Sequence, residues 1–147
     1  MSHIPVNHPL RPLYRVLAAV AGLYVLVFGI VAAARTSGTP AFSQDHLQWV
    51  LGLRTNLGFA WLSVAAGAVL LLAAAIGRNV DRVVNLAGSL VFIAAGMAML
   101  GLMRTDANVL GFSMANCVVS FVLGTVLLTA GLYGRTGRSG SGAARTV

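Results

Sequence analysis

Residues 55–77, TNLGFAWLSVAAGAVLLLAAAIG, run for 23 positions without a charge and are bracketed by Arg54 and Arg78. A helix rises about 1.5 Å per residue, so about 20 apolar residues cross the hydrocarbon core of a bilayer. The stretch therefore predicts one membrane-spanning helix. Three further charge-free runs lie around it, at 16–34, 83–103 and 107–134. The last is longer than a span requires, and its helix is expected to begin near Leu110. The fold class predicted is an all-α membrane protein with spans at about 16–34, 55–77, 83–103 and 110–133, in a single domain covering 1–134. The first run also ends in Ala32-Ala33-Ala34, which resembles a leader cleavage site. Its apolar stretch exceeds the 7–15 residues of a signal peptide's core, so it reads as a span.

Composition points the same way. The chain has 147 residues, 58% hydrophobic and only 9% charged, against about 25% charged in soluble domains. It cannot cover a globular surface with charge. All ten basic residues are Arg and all three acidic ones are Asp, a bias expected of a GC-rich bacterial genome. The net charge of +7 does not imply nucleic acid, because the arginines stand singly between apolar runs and form no phosphate-tracking stripe. The partner they imply is a bilayer with anionic headgroups. Arg15, Arg78, Arg82 and Arg135, at span ends, are the candidate headgroup contacts, snorkelling away from the hydrocarbon. Trp49, Trp61, Tyr14 and Tyr133 fall near the same ends, as an aromatic belt requires. Tyr24 lies deeper and is expected to need a hydroxyl partner inside the bundle.

Arginine counts set an expected orientation. Arg11 and Arg15, Arg78 and Arg82, and Arg135, Arg138 and Arg145 share one side. Arg35, Arg54 and Arg104 share the other. The positive-inside rule then places both termini in the cytoplasm, with the protein in the inner (plasma) membrane. The tight connection 78–82 is expected to join the second and third spans as a hairpin. The long connection 35–54 holds Ser43, a fair N-cap, followed by Leu47, Trp49, Val50 and Leu51. A short helix on the membrane surface is expected there. The tail 135–147 is Gly, Ser and Arg, and is expected to be disordered.

The second and fourth spans resemble each other. Gly67–Asn79 and Gly124–Thr136 agree at seven of thirteen positions, and Ser63 then falls on Ser120. The first and third spans align more weakly, with Arg15-Val16 on Arg82-Val83. A duplicated two-helix hairpin, with its pseudo-twofold axis along the membrane normal, accounts for both. Small residues four apart let helices approach closely. Ser63 and Gly67, and Ser120 and Gly124, are thus candidate crossing points. Ser113, Asn116, Ser120 and Gly124 form one small polar stripe on the fourth span, expected to face other helices.

Catalytic and metal chemistry finds little support. His3, His8 and His46 all fall outside the spans, and tail histidines are expected to be solvated. No cofactor is expected. Asp45, Asp81 and Asp106 lie in connections, so no ionisable group stands at membrane depth to couple protons or ions. Asp81 is expected to offset Arg78 and Arg82. Cys117 reads as a small buried packing residue. Asn116 is the main buried polar candidate, expected to hydrogen-bond across the bundle, with Asn85 a lesser one.

The four spans, the Arg78-Asn79 to Arg82 turn, Asn108-Val-Leu-Gly-Phe-Ser with Asn116 following, and Gly131-Leu-Tyr-Gly134 together resemble an actinobacterial four-helix integral membrane family known only as a domain of unknown function. The resemblance covers about 13–134. It implies a host and not an activity. Members often carry His just after the matching Asn. Val118 and Val119 stand there in this chain, so no ligand role is carried over. The expected function is a non-enzymatic structural or accessory subunit acting through helix contacts, as a homo-oligomer or in a larger membrane complex. The alternative is a small transporter or channel for a neutral or apolar solute.

Overall fold

The computed structural model describes residues 8–137. Its helices are α1 (Arg11–Thr36), α2 (Leu57–Ile76), α3 (Val80–Leu102) and α4 (Met114–Tyr133), and a two-stranded sheet pairs β1 (Gln48–Val50) with β2 (Leu53–Thr55). All four helices are long and apolar enough to cross a membrane. Their outward faces are apolar too: Val20, Val69, Leu72, Leu90 and Val91 are each more than half exposed. A water-soluble bundle would bury such side chains, so the chain is a multi-pass membrane protein. The last helix begins at Met114, with Ser113 as its N-cap, and not near Leu110. Residues 103–113 instead form turns tied by Asn108, whose Oδ1 accepts from Phe112 N at 2.7 Å.

The helices pair as α1 with α2 and α3 with α4. The short connection joins α2 and α3 as the hairpin expected from sequence, but they pack less closely than the two pairs that the duplicated hairpin defines. Three successive residues of positive φ, Gly77, Arg78 and Asn79, turn the chain so sharply that the helices diverge. Close packing belongs to the other two junctions, where glycines remove the side chain between backbones. A Cβ on Gly67 would strike Leu26 N, and one on Gly29 would lie 2.6 Å from Val64 N. In the second hairpin, a Cβ on Gly124 would lie 2.7 Å from Ile93 Cγ1, and one on Gly96 would lie 3.0 Å from Phe121 Cε1.

These contacts repeat. With α1 laid on α3 so that Arg15 meets Arg82, Leu26 falls on Ile93 and Gly29 on Gly96. With α2 laid on α4 so that Gly67 meets Gly124, Val64 falls on Phe121. Gly67 on Leu26 is thus the counterpart of Gly124 on Ile93, and Gly29 on Val64 that of Gly96 on Phe121. The bundle is two copies of one packed hairpin related by a pseudo-twofold axis.

The connection after α1 contains no helix. Gln48–Val50 and Leu53–Thr55 form an antiparallel hairpin, in register Gln48↔Thr55, Trp49↔Arg54 and Val50↔Leu53. The two linking residues, Leu51 and Gly52, have φ of 46° and 83°. Positive φ at both positions marks the mirror-image turn that matches strand twist. Val50 and Leu53 then bury their side chains against Phe28 and Ala32. An interfacial helix would have splayed these two residues. Trp49 remains 59% exposed on the outer face and Trp61 60%. Tyr24 finds its partner in this hairpin, not within the helices: its hydroxyl donates to Leu51 O at 3.3 Å.

The opposite end carries the first and last of the described residues. Asp81 is buried and pairs with Arg11 of α1 at 3.6 Å, while also accepting from Arg82 N at 2.9 Å. Its cationic partner is therefore a residue of α1, not Arg78 or the Arg82 guanidinium. Asn79 clamps Thr136, accepting from its N–H at 2.8 Å and donating to its carbonyl at 3.0 Å. Tyr14 and Tyr133 stack at 5.4 Å, with His8 edge-on to Tyr133. Two expected belt residues and one expected solvated histidine are thus packed on one another. Arg15 donates from Nε to Ala74 O at 2.6 Å and from Nη2 to Ala75 O at 2.9 Å, satisfying carbonyls that the end of α2 leaves open. Arg78 and Arg135 are exposed. Arg82 is half-buried, and its Nε has no hydrogen-bond partner among the described residues. His3, Arg138, Arg145 and the tail from 138 onward lie outside the described residues.

A charge-assisted hydrogen bond is worth about 1.5–3 kcal/mol. Arg15→Ala is therefore expected to lower stability by about 2 kcal/mol, and Arg15→Lys to recover only part of it, because an ammonium cannot reproduce the two-carbonyl fork. Thermal unfolding in detergent micelles measures both.

Candidate functional site: an apolar cavity on the pseudo-twofold axis

Each helix contributes one small or apolar face to the space between the hairpins. In the half of the bundle nearer the β-hairpin these faces do not close, and a cavity of about 310 Å³ remains. From α1 come Tyr24, Val25 and Phe28. From α3 come Val91, Phe92 and Ala95, the same three positions under the repeat alignment, and Met99, whose counterpart Ala32 does not line the cavity. From α2 come Phe59, Leu62, Ser63 and Ala66. From α4 come Asn116, Val119, Ser120 and Leu123, again the same positions. The cavity therefore lies on the pseudo-twofold axis.

Its ends are closed. Leu53 and Leu110, themselves equivalent positions, roof it with Phe112. Beneath it the equivalent residues Leu70 and Leu127, both buried, join Ala18, Ala21 and Ala130 in a packed cluster. A Cβ on Gly88 would lie 3.4 Å from both leucines. The bundle has a chamber on its axis and not a continuous pore.

Four polar side chains reach the lining, and each is already bonded to backbone, the Tyr24 hydroxyl to Leu51 O as described above. Ser63 Oγ donates to Phe59 O at 2.8 Å on its own helix, and Ser120 Oγ to Phe92 O at 2.6 Å across to α3. Asn116 reaches the β-hairpin and not another helix. Its Oδ1 accepts from Arg54 N at 3.1 Å and its Nδ2 donates to Arg54 O at 2.8 Å. In a hairpin with a two-residue loop, Val50 and Leu53 form the hydrogen-bonded pair, so the polar groups of Arg54 point away from β1. The Asn116 amide supplies the missing strand edge. Ser113, expected to line the stripe, instead orients that amide by donating to Oδ1 at 2.7 Å.

Of the residues singled out from sequence, Ser63, Asn116 and Ser120 meet at the cavity, and Ser113 stands behind them. Gly67 and Gly124 lie away from it, at the helix crossings. Arg15, Arg78, Arg82 and Arg135 gather at the far end. The residues overlooked were Phe28, Phe92 and Ala95, and Tyr24 was noted for its depth but not placed at a site. The weak match of the first and third spans carried the signal, because it makes these positions equivalent in pairs. Among the described residues no group of three metal-ligating side chains occurs. No family model, curated protein or solved structure matches the chain.

Proposed function

We propose that this is a non-enzymatic membrane protein that binds an apolar molecule in the cavity between its two hairpins. The observation that carries the reading is the pairing of an open axial chamber with an almost entirely apolar lining, whose four polar side chains each already hydrogen-bond to backbone. A polar solute would find every hydroxyl and amide on the lining already bonded to backbone, and an ion would find no carboxylate. The closed floor favours binding, or carriage by alternating exposure, over open conduction. The accessory-subunit reading drew on small-residue faces available to other chains. Gly29, Gly67, Gly96 and Gly124 are all occupied by contacts within one chain, so that motive is weaker. The proposal includes an inner-membrane setting in an actinobacterium, with both termini cytoplasmic and anionic lipid around the terminal arginines.

Benzene, which enters dry apolar cavities, is a suitable probe. The purified protein in detergent is expected to bind it saturably, and Leu123→Trp, which adds bulk to the lining, to abolish that binding. A wild-type protein without saturable binding would refute the reading. For orientation, a C-terminal alkaline phosphatase fusion should be inactive and a C-terminal fluorescent protein fusion bright. The reverse pattern would invert the topology.

A further inference from the structure

The pseudo-twofold axis makes two seams equivalent, one between α2 and α3 and the other between α4 and α1. They are not filled alike. The α1–α4 seam carries Tyr24, Phe28, Val119 and Leu123. Their counterparts at the α2–α3 seam are Val91, Ala95, Leu62 and Ala66. At three of these four pairs the α2–α3 member is smaller. Nearer the roof the order reverses, with the buried Met99 larger than its counterpart Ala32, so the gap lies at Val91, Ala95 and Ala66. On the bulky side, Tyr24 and Val119 pack against the buried Phe28 and Ala32 cluster. On the other side, Leu62 is 57% exposed and Val91 64%. With the roof and floor closed, the side-chain sizes leave the chamber opening sideways, at hydrocarbon depth, through the α2–α3 seam.

We propose that the occupant is the hydrocarbon tail of a bilayer lipid, entering laterally between α2 and α3. This rests on the cavity-binding reading and adds the ligand class and the route. Size fits: at about 30 Å³ for a unit the size of a water molecule, the chamber holds on the order of ten carbons of chain. Chemistry fits as well. Water would need two or more available polar partners to settle there, whereas a tail needs only contact. Because lipid is as apolar as the lining, the drive is not hydrophobic transfer. It is the dispersion energy that an unfilled void forfeits. The lining has nothing to recognise a headgroup, so the headgroup stays outside the seam and only the tail is threaded.

The test uses the full chain in vesicles of equal parts phosphatidylcholine and phosphatidylglycerol, doped with a phospholipid carrying a photoactivatable diazirine in mid-chain. Peptide mapping is expected to find label on the interior residues Val25, Ser120 and Leu123, as well as on the lipid-facing Val69 and Leu72. Giving the open seam its counterpart's side chains, by Ala66→Leu with Ala95→Phe, should cut interior labelling about tenfold and leave Val69 and Leu72 unchanged. If the double variant fails to fold, Ala66→Leu alone should still cut interior labelling about threefold. Absent interior label in the wild type, or interior label indifferent to the substitutions, overturns the proposal. If benzene still binds saturably in that case, only the tail and its route are lost. If benzene binding also fails, the cavity reading falls with them.

Discussion

Gly67→Ala is expected to destabilise the bundle by about 2–3 kcal/mol, and Gly124→Ala, at the equivalent position, by less than about 1 kcal/mol. The added methyl group is the same, but what it meets differs. At Gly67 it strikes Leu26 N and lies 2.7 Å from Leu26 Cα. Backbone inside a helix cannot step aside, so α1 and α2 must separate along their whole crossing. At Gly124 the nearest atom is Ile93 Cγ1 at 2.7 Å, with Ile93 N further off at 3.2 Å. A side-chain carbon can yield, though β-branching limits how far. Alanine also recovers about 1 kcal/mol of helix propensity over glycine, which offsets most of the smaller clash and little of the larger. Gly67→Leu should prevent the native hairpin from forming. Unfolding titrations with sodium dodecyl sulfate from mild-detergent micelles would rank the three. Equal losses for the two alanine variants would mean that the hairpins do not cross as described.

The positions of the spans were legible because charge is nearly absent from the chain. An arginine inside a bilayer costs enough that each one marks a boundary, and helix limits in the structure fall within a few residues of those marks at α2 and α3. At α1 the helix extends outward past Arg15 to Arg11, since snorkelling lets arginines sit on the helix itself. The repeat was legible in α2 and α4 through Gly67 and Gly124. Two features were not legible. Close packing of α1 on α2 depends on Gly29 facing Val64 across the 20-residue connection 37–56, and local pattern carries no record of that distance. The β-hairpin was hidden because Leu51-Gly52 is a poor advertisement for its turn. Leucine at positive φ is uncommon, where asparagine would have announced the loop. Missing the hairpin meant missing the partner of Asn116, because an amide that pairs with a strand edge looks, in sequence, like one that bridges helices.

Asn116→Leu should loosen the roof of the cavity while leaving the four helices formed. Leucine is close to asparagine in size and suits the apolar lining, so a packing argument alone would predict little harm. The loss is polar. Arg54 N–H and C=O face away from β1, and Asn116 is the partner that binds both. Each backbone group left unpaired away from water costs about 1–3 kcal/mol, so about 2–4 kcal/mol is expected after partial relaxation toward the surface. Asn116 and Arg54 are held at the end of α4 and in β2, and the cost falls on that junction. Helical circular dichroism should therefore be unchanged, while hydrogen exchange at the Arg54 amide and its hairpin neighbours accelerates about 30-fold or more. Asn116→Asp separates the two halves of the clamp. It keeps an acceptor for Arg54 N–H but turns a second oxygen toward Arg54 O, and should be worse than leucine. Ser113→Ala removes only the bond that orients the amide and should cost about 1 kcal/mol. Should Asn116→Leu leave hairpin exchange unchanged, the amide is not what holds the roof. Because the roof also closes the cavity through Leu53, reduced ligand binding by Asn116→Leu would report a displaced roof and not a lost ligand contact. Contact with the ligand is read from Ala66 and Ala95, where no hydrogen bond is at stake.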